Sequence, residues 1–361
     1  MSRHEFTCGT SRKEKFPYVT EPSGSITVLA ALFMPVLLAI AAVVVDLGFV
    51  FLTKYELQNA ADAGALAGAR QLHAKEPGID WDGAEERAVL VSRLNENLGR
   101  LIADPEARAG YWDPAIGGPV GSREVLLDVD VMAPGVTVSI RRSAGINGGP
   151  IRPYFAGLFG VTALDVAVSS TAVVSGLGRL GAGDMFPFVL SHCLYEHFWD
   201  TDPDNFGPRI DPATSEPYVF QLGPSLPMAP CEETGVWTTY LQEINSLNEI
   251  RALVDTGNPD PLAIGDVIWV QPGARNTLYQ SIQGCSAAGT GFCEIATIAV
   301  VDDVAAKVLM PIQAFACLRI LDAHAGAKPY VSAQMSTKCV PPGGGGIGSS
   351  YGAVSPPKLV Q

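Results

Sequence analysis

Residues 26–45, ITVLAALFMPVLLAIAAVVV, run for twenty residues without a charged side chain. At about 1.5 Å of rise per residue such a run makes a helix about 30 Å long, the thickness of the hydrocarbon core of a bilayer. The expectation is an uncleaved transmembrane helix over residues 25–52, in contact with the lipid bilayer. Pro35 inside it is tolerable in a membrane, where a freed carbonyl finds a partner on a neighbour or in a local bend. A cleaved secretory signal has a shorter apolar core, about 7 to 15 residues, closed by small residues. This run instead passes without a break into Asp46-Leu47-Gly48 and Phe49-Val50-Phe51-Leu52. Arg3, Arg12, Lys13 and Lys15 precede it, whereas the twenty residues after Leu52 offer only Lys54 and Arg70. That asymmetry favours a cytoplasmic N-terminal segment, residues 1–24, and a single-pass protein of the cytoplasmic (inner) membrane with its C-terminal ectodomain outside.

Charge and cysteine content agree with that placement. Beyond residue 52 there are 20 basic against 33 acidic side chains. No basic surface of useful size is available, which argues against nucleic acid as a partner. Cys8 precedes the apolar run, and the other six cysteines, Cys193, Cys231, Cys285, Cys293, Cys317 and Cys339, lie far beyond it. An even set on the outer side fits disulfides in an oxidising compartment. Cys285 and Cys293 enclose a short turn-rich loop and are expected to pair. For the other four, the local choice is Cys193 with Cys231 and Cys317 with Cys339, although sequence alone leaves all fifteen pairings of six cysteines open.

Gly24-Ser25 stand before the apolar run, Pro35 sits within it, Asp46-Leu47-Gly48 mark its outer edge, and Leu57–Ala69 reads LQNAADAGALAGA. In these features residues 24–72 resemble the N-terminal segment of the TadG-like family of Flp pilus-assembly proteins. The resemblance implies a non-enzymatic accessory or anchoring role in pilus assembly, with other pilus-assembly proteins as partners. It covers about 50 of 361 residues. Cleaved relatives carry a Glu five residues into the mature chain; counting from Ser25, the fifth residue here is Leu29, so the resemblance is to the uncleaved branch. Longer members also resemble von Willebrand A domains, whose Asp-x-Ser-x-Ser metal motif this sequence lacks. The alternative function is a membrane-tethered ligand-binding protein or enzyme.

The fold class expected is α+β: a transmembrane helix continuing into a stalk helix, a small helix-on-antiparallel-sheet domain, then a mostly β distal domain. Within the stalk, Ala60, Gly64 and Gly68 recur every four residues and share one helix face. Two interior glycines each cost about 1 kcal/mol against alanine, so close packing of another element on that face is the expected compensation. Asp46, at the outer edge of the run, is read as reaching into the headgroup region. The stalk and membrane-proximal domain are taken as residues 53–175, with a helix over 81–99 stopped by Gly99, a strand over 124–131, a turn at Ala133-Pro134-Gly135, a strand through Val136, Val138 and Ile140, a short helix from Pro153 to Gly160, and a strand from Leu164 to Ala172.

Residues 176–185 are read as a linker. Gly176–Gly181 matches G-x-G-x-x-G, but the next residues, Ala182-Gly183-Asp184-Met185-Phe186-Pro187, cannot start a phosphate-capping helix. The distal domain is taken as residues 186–340, with strands near 218–222, 266–270, 295–301, 311–321 and 330–338 and helices near 237–253 and 274–282. Residues 341–361 are read as a flexible Gly/Pro-rich tail, and G-x-S-x-G at Gly348–Gly352 as an accident of its composition. No cofactor and no catalytic residue are expected. Ser191-His192 lacks a base aimed at the serine, and Cys193-x3-His197 lacks a second ligand pair for zinc. The one sharper signal is Asp200, Asp202, Asp204 and Asp211, at positions 1, 3, 5 and 12 of a calcium-loop pattern. Asn205 in place of the loop glycine and Asp211 in place of the bidentate Glu weaken it, and a solvated acidic turn is the plainer reading.

Overall fold

In the computed structural model, the described residues are 25–74, 78–123, 132–200, 206–223, 231, 235–241, 247–271, 276–302, 307–346, 348 and 351–360. They form an α+β arrangement with a long apolar N-terminal helix and a mostly β distal part. The chain divides into two units. One holds the described residues up to Val50 together with Arg152–Thr162; the other holds Phe51–Ile151 and Ala163–Gln361.

Helix α1 spans Ser25–Gln71, with Pro35 inside it. Its run of good helix formers lacks any Pro beyond residue 35 and ends at Gln71, with Leu72 already in a turn. Helix α2, Trp81–Arg93, starts at Asp80, whose carboxylate accepts the Gly83 N–H at 3.2 Å as an N-cap. It ends at Arg93, six residues short of the expected stop at Gly99. The reason is a tight hairpin, Glu96–Asn97 against Arg100–Leu101, turned by Leu98 at φ 51° and Gly99 at φ 69°.

Strands β1 (Pro105–Trp112), β2 (Ala133–Arg142) and β3 (Val166–Val173) pair antiparallel in the order β1-β2-β3. The strand expected over 124–131 lies outside the described residues. The expected turn at Ala133-Pro134-Gly135 is corrected: all three residues belong to β2 and pair with Trp112, Tyr111 and Gly110. A glycine is required at 135 because a Cβ there would meet the Ala172 carbonyl and Val173 Cγ1, each at 2.8 Å. On one face of this sheet Val136, Val138, Ile140, Val168 and Ala172 are buried with Leu57, Ala61, Ala65 and Ala69 of α1, with Leu72 just beyond it, and with Ala84 and Ala88 of α2. Helices therefore cover an antiparallel sheet.

The larger core begins with β4 (Phe188–Ser191) and α3 (His192–Phe198) and continues through β5 (Phe220–Leu222), β6 (Gly235–Thr238), α4 (Leu247–Thr256), β7 (Val267–Gln271), α5 (Asn276–Cys285), β8 (Ile295–Val301), β9 (Val308–Pro311), β10 (Ala314–His324) and β11 (Tyr330–Met335). The eight strands form one sheet in the order β5-β11-β10-β8-β4-β6-β7-β9, antiparallel except for β8 against β4. Unbroken apolar runs such as Ile298–Val301 are buried on both faces of the sheet. Trp237, expected to open a helix, lies in β6 edge-on to Phe188 and Tyr279.

Two expectations about connecting chain are corrected. In 176–185, expected as a linker, Arg179–Leu180 pairs with Leu262–Ala263, and Leu177, Leu180 and Met185 are buried. In 341–361, expected as a flexible tail, strand β12 (Lys358–Leu359) pairs with β3, and Ala353 and Val354 are buried. Gly352, at φ 84°, passes so close to Trp199 that a Cβ would stand 2.8 Å from the indole ring. Composition hid both segments, because glycines that read as looseness are here used for close backbone approach.

Candidate functional site

Helix α1 is the one helix among the described residues long and apolar enough to cross a membrane. Its first half is apolar and exposed on every side: Ile26, Leu29, Leu32, Met34, Leu37, Ile40 and Val44 are all more than half exposed. A helix apolar all round has no polar face to offer water, and one of this length is consistent with a single-pass membrane protein.

Asp46 interrupts that surface. It is 7% exposed, and its carboxylate accepts three consecutive backbone N–H groups: Tyr154 at 2.7 Å to Oδ1, and Phe155 at 2.9 Å and Ala156 at 2.6 Å to Oδ2. Phe49, one turn along α1, meets Tyr154 edge-to-face at 5.5 Å. The clamped amides open a 3-10 turn, Ala156–Phe159, which closes on Gly160 in the left-handed region at φ 87°. The short helix expected from Pro153 is thus reduced to that turn. Asp46, expected to reach into the headgroup region, instead fixes this loop beside α1. The pattern Pro-Tyr-Phe-Ala-Gly-Leu-Phe was visible in the sequence, but nothing local could announce a carboxylate 108 residues earlier as its partner.

The small residues of α1 lie against α2. A Cβ at Gly68 would meet the Ala84 carbonyl at 2.8 Å, Ala88 Cβ at 2.9 Å and Val136 Cγ1 at 3.1 Å; at Gly64 it would collide with Ser92 Oγ and the Ala88 carbonyl. Ala60 is fully buried, and its carbonyl accepts the Ser92 hydroxyl at 3.3 Å. Polar ties flank the seam. Asn97 donates to the Thr53 carbonyl at 3.1 Å, and Glu56 accepts the Leu98 N–H at 2.8 Å. Gln58 donates to the Ser169 carbonyl at 3.2 Å.

The six distal cysteines are joined as Cys193–Cys231, Cys285–Cys293 and Cys317–Cys339, with Cα separations of 5.8, 5.1 and 5.5 Å. Cys193 is therefore not available to bind zinc beside His197. Ser191 Oγ accepts the Leu194 N–H as the N-cap of α3, and His192 Nε2 faces Glu196 at 3.2 Å, so both side chains are engaged at the start of that helix.

Of the calcium-loop pattern, Asp202 and Asp204 lie outside the described residues. Asp200 pairs with Gly207 in a two-residue ladder, and Asp211 turns its carboxylate onto the Ala213 N–H at 2.9 Å. Among the described residues no group of three His, Cys, Asp or Glu side chains is placed to hold a metal. An open groove is lined by Ala63, Leu66, Ala67, Arg70 and Gln71 of α1, by Arg87 and by Pro356 and Pro357. Its lining has no carboxylate, thiol or imidazole, so it offers a surface without a reactive group.

Residues 24–71 match the family model described as putative Flp pilus-assembly TadE/G-like. The match coincides with α1 and stops where that helix stops. No curated protein and no solved structure matches the chain.

Proposed function

We propose that this chain is a single-pass, non-enzymatic accessory or anchoring protein of Flp pilus assembly. In this reading α1 holds it in the cytoplasmic membrane, residues 1–24 face the cytoplasm, and the disulfide-bonded remainder works outside, against other components of the assembly. The observation that carries it is the coincidence of the family match with α1, a helix whose first half exposes apolar side chains on every side and whose second half is packed through small residues. The basic residues before the helix and the disulfides far beyond it support the orientation. The acidic balance beyond the helix is suited to a soluble ectodomain, not to one adhering to anionic lipid.

The test is genetic, in a host that also encodes the pilus secretion ATPase and prepilin peptidase. Deleting the gene should abolish or sharply reduce surface pili while pilin is still made, and the full chain supplied in trans should restore them. Unaltered piliation in the deletion strain would reject the role.

A further inference from the structure

The loop held by Asp46 leaves its apolar side chains without cover. Tyr154 is 70% exposed, Leu158 84% and Phe159 73%, with Phe155 and Val161 also exposed. These five stand within eight residues of chain, and residues 153–162 carry no charge. Left in water, so dense an apolar cluster is a liability that a soluble surface does not ordinarily carry.

Its position names what covers it. Asp46 is the residue that immediately follows the uncharged run 26–45, so the three amides it holds fix the loop at the outer end of that run. The apolar surface of α1 beside it, at Val45 and Leu47, is itself exposed. The loop therefore extends sideways from the helix the same surface that the bilayer covers around the helix. Its composition suits that depth: Tyr and Phe favour the boundary between headgroups and acyl chains, and Arg152, exposed at the loop's beginning, carries the charge that pairs with a lipid phosphate.

We infer that residues 152–162 form a second, interfacial membrane contact, with Tyr154, Phe155, Leu158 and Phe159 set among the lipids of the outer leaflet and Asp46 acting as the internal clamp that holds them there. The occupant is lipid, not a protein groove. The clamp also explains how a carboxylate is tolerated at that depth. Three backbone donors satisfy it, and it satisfies in return three amides at the start of a turn that would otherwise face hydrocarbon. A single helix fixes a protein's depth but leaves its tilt and rotation open. A side contact fixed to that helix restricts both, which suits a component that must present one face to an assembly.

The inference rests on the membrane-spanning reading of α1, and the experiment separates the two. The full chain carrying Cys8→Ser is given one free thiol, in separate variants Leu32→Cys, Leu47→Cys or Leu158→Cys, labelled with an environment-sensitive fluorophore and reconstituted in phosphatidylcholine vesicles. Quenching is read with a lipid bearing a nitroxide at a shallow acyl position and with aqueous iodide. The expected result is that the probe at 158 is quenched by the shallow nitroxide to within about twofold of the probe at 47 and is protected from iodide. Adding Asp46→Ala to the Leu158→Cys chain should lower nitroxide quenching at 158 by at least half, while the same change in the Leu47→Cys chain leaves quenching at 47 in place. If the probes at 32 and 47 are quenched by lipid but the probe at 158 is open to iodide, or hidden from both quenchers against protein, the interfacial contact is overturned and the anchor stands. If the probe at 32 is also unquenched by lipid, the anchor itself fails. Undiminished lipid quenching at 158 in the Asp46→Ala chain would overturn the clamp.

Discussion

At the scale of single residues, the seam between α1 and α2 depends on the absence of side chains. A methyl group at Gly68 would press on the Ala84 carbonyl, on Ala88 and on Val136, none of which is the free end of a flexible side chain. Alanine gains about 1 kcal/mol of helix propensity, but overpacking of a close helix contact costs about 1–3 kcal/mol, so Gly68→Ala should lower stability and Gly68→Leu should lower it much further. At Gly284, in α5, an added Cβ would have nothing within 4 Å, and Gly284→Ala should be neutral or stabilising. Denaturant midpoints of the detergent-solubilised chains would show the contrast. His73 makes a pH-dependent contribution. Burial lowers its pKa to about 4, and its Nε2 has no hydrogen-bond partner among the described residues. The unfolded chain takes up this proton near pH 6.5 and the folded chain near pH 4. Folded stability should therefore fall as pH drops from about 6.5 to about 4, by up to about 3 kcal/mol, with no contribution above that range. His73→Leu should flatten that part of the profile, and an unchanged slope would assign it to other groups.

At the scale of elements, what was legible in the sequence is what depends on local pattern. The twenty uncharged residues, the four-residue spacing of Ala60, Gly64 and Gly68, and the alternation in β2 and β3 each reflect one element meeting one environment. What was not legible depends on long-range partners. Strand β1 carries charges at Glu106 and Arg108 beside small apolar residues, and its place is set by pairing with β2. The 3-10 turn at residues 156–159 owes its form to Asp46, and β12 owes its existence to the free edge of β3. The disulfides sit between these extremes, since the sequence-local pairs are also those that the fold joins. Their loops differ in length, with separations of 8, 22 and 38 residues. By loop entropy their removal should cost about 2.5, 3.4 and 4 kcal/mol in that order. Paired Cys→Ser variants, unfolded side by side, would test the ranking.

At the scale of the whole molecule, the C-terminal residues belong to the fold. Tyr351 stacks on Tyr195 at 3.8 Å, Val354 is buried with Leu57 and Val136, and β12 extends the small sheet. A chain ending at Val340 should lose at least about 2 kcal/mol and become protease-sensitive, where removal of a solvated tail would change neither. The larger claim is that one helix ties a disulfide-bonded ectodomain to the outside of a membrane. The most direct measurement is a pair of reporter fusions after Gln361 in cells: alkaline phosphatase, which needs an oxidising compartment to become active, and a reporter that fluoresces only in the cytoplasm. The expected result is an active phosphatase, a dark cytoplasmic reporter, and both fusion proteins retained in the membrane fraction after alkaline extraction. A bright cytoplasmic reporter with inactive phosphatase would contradict the orientation and the disulfides together.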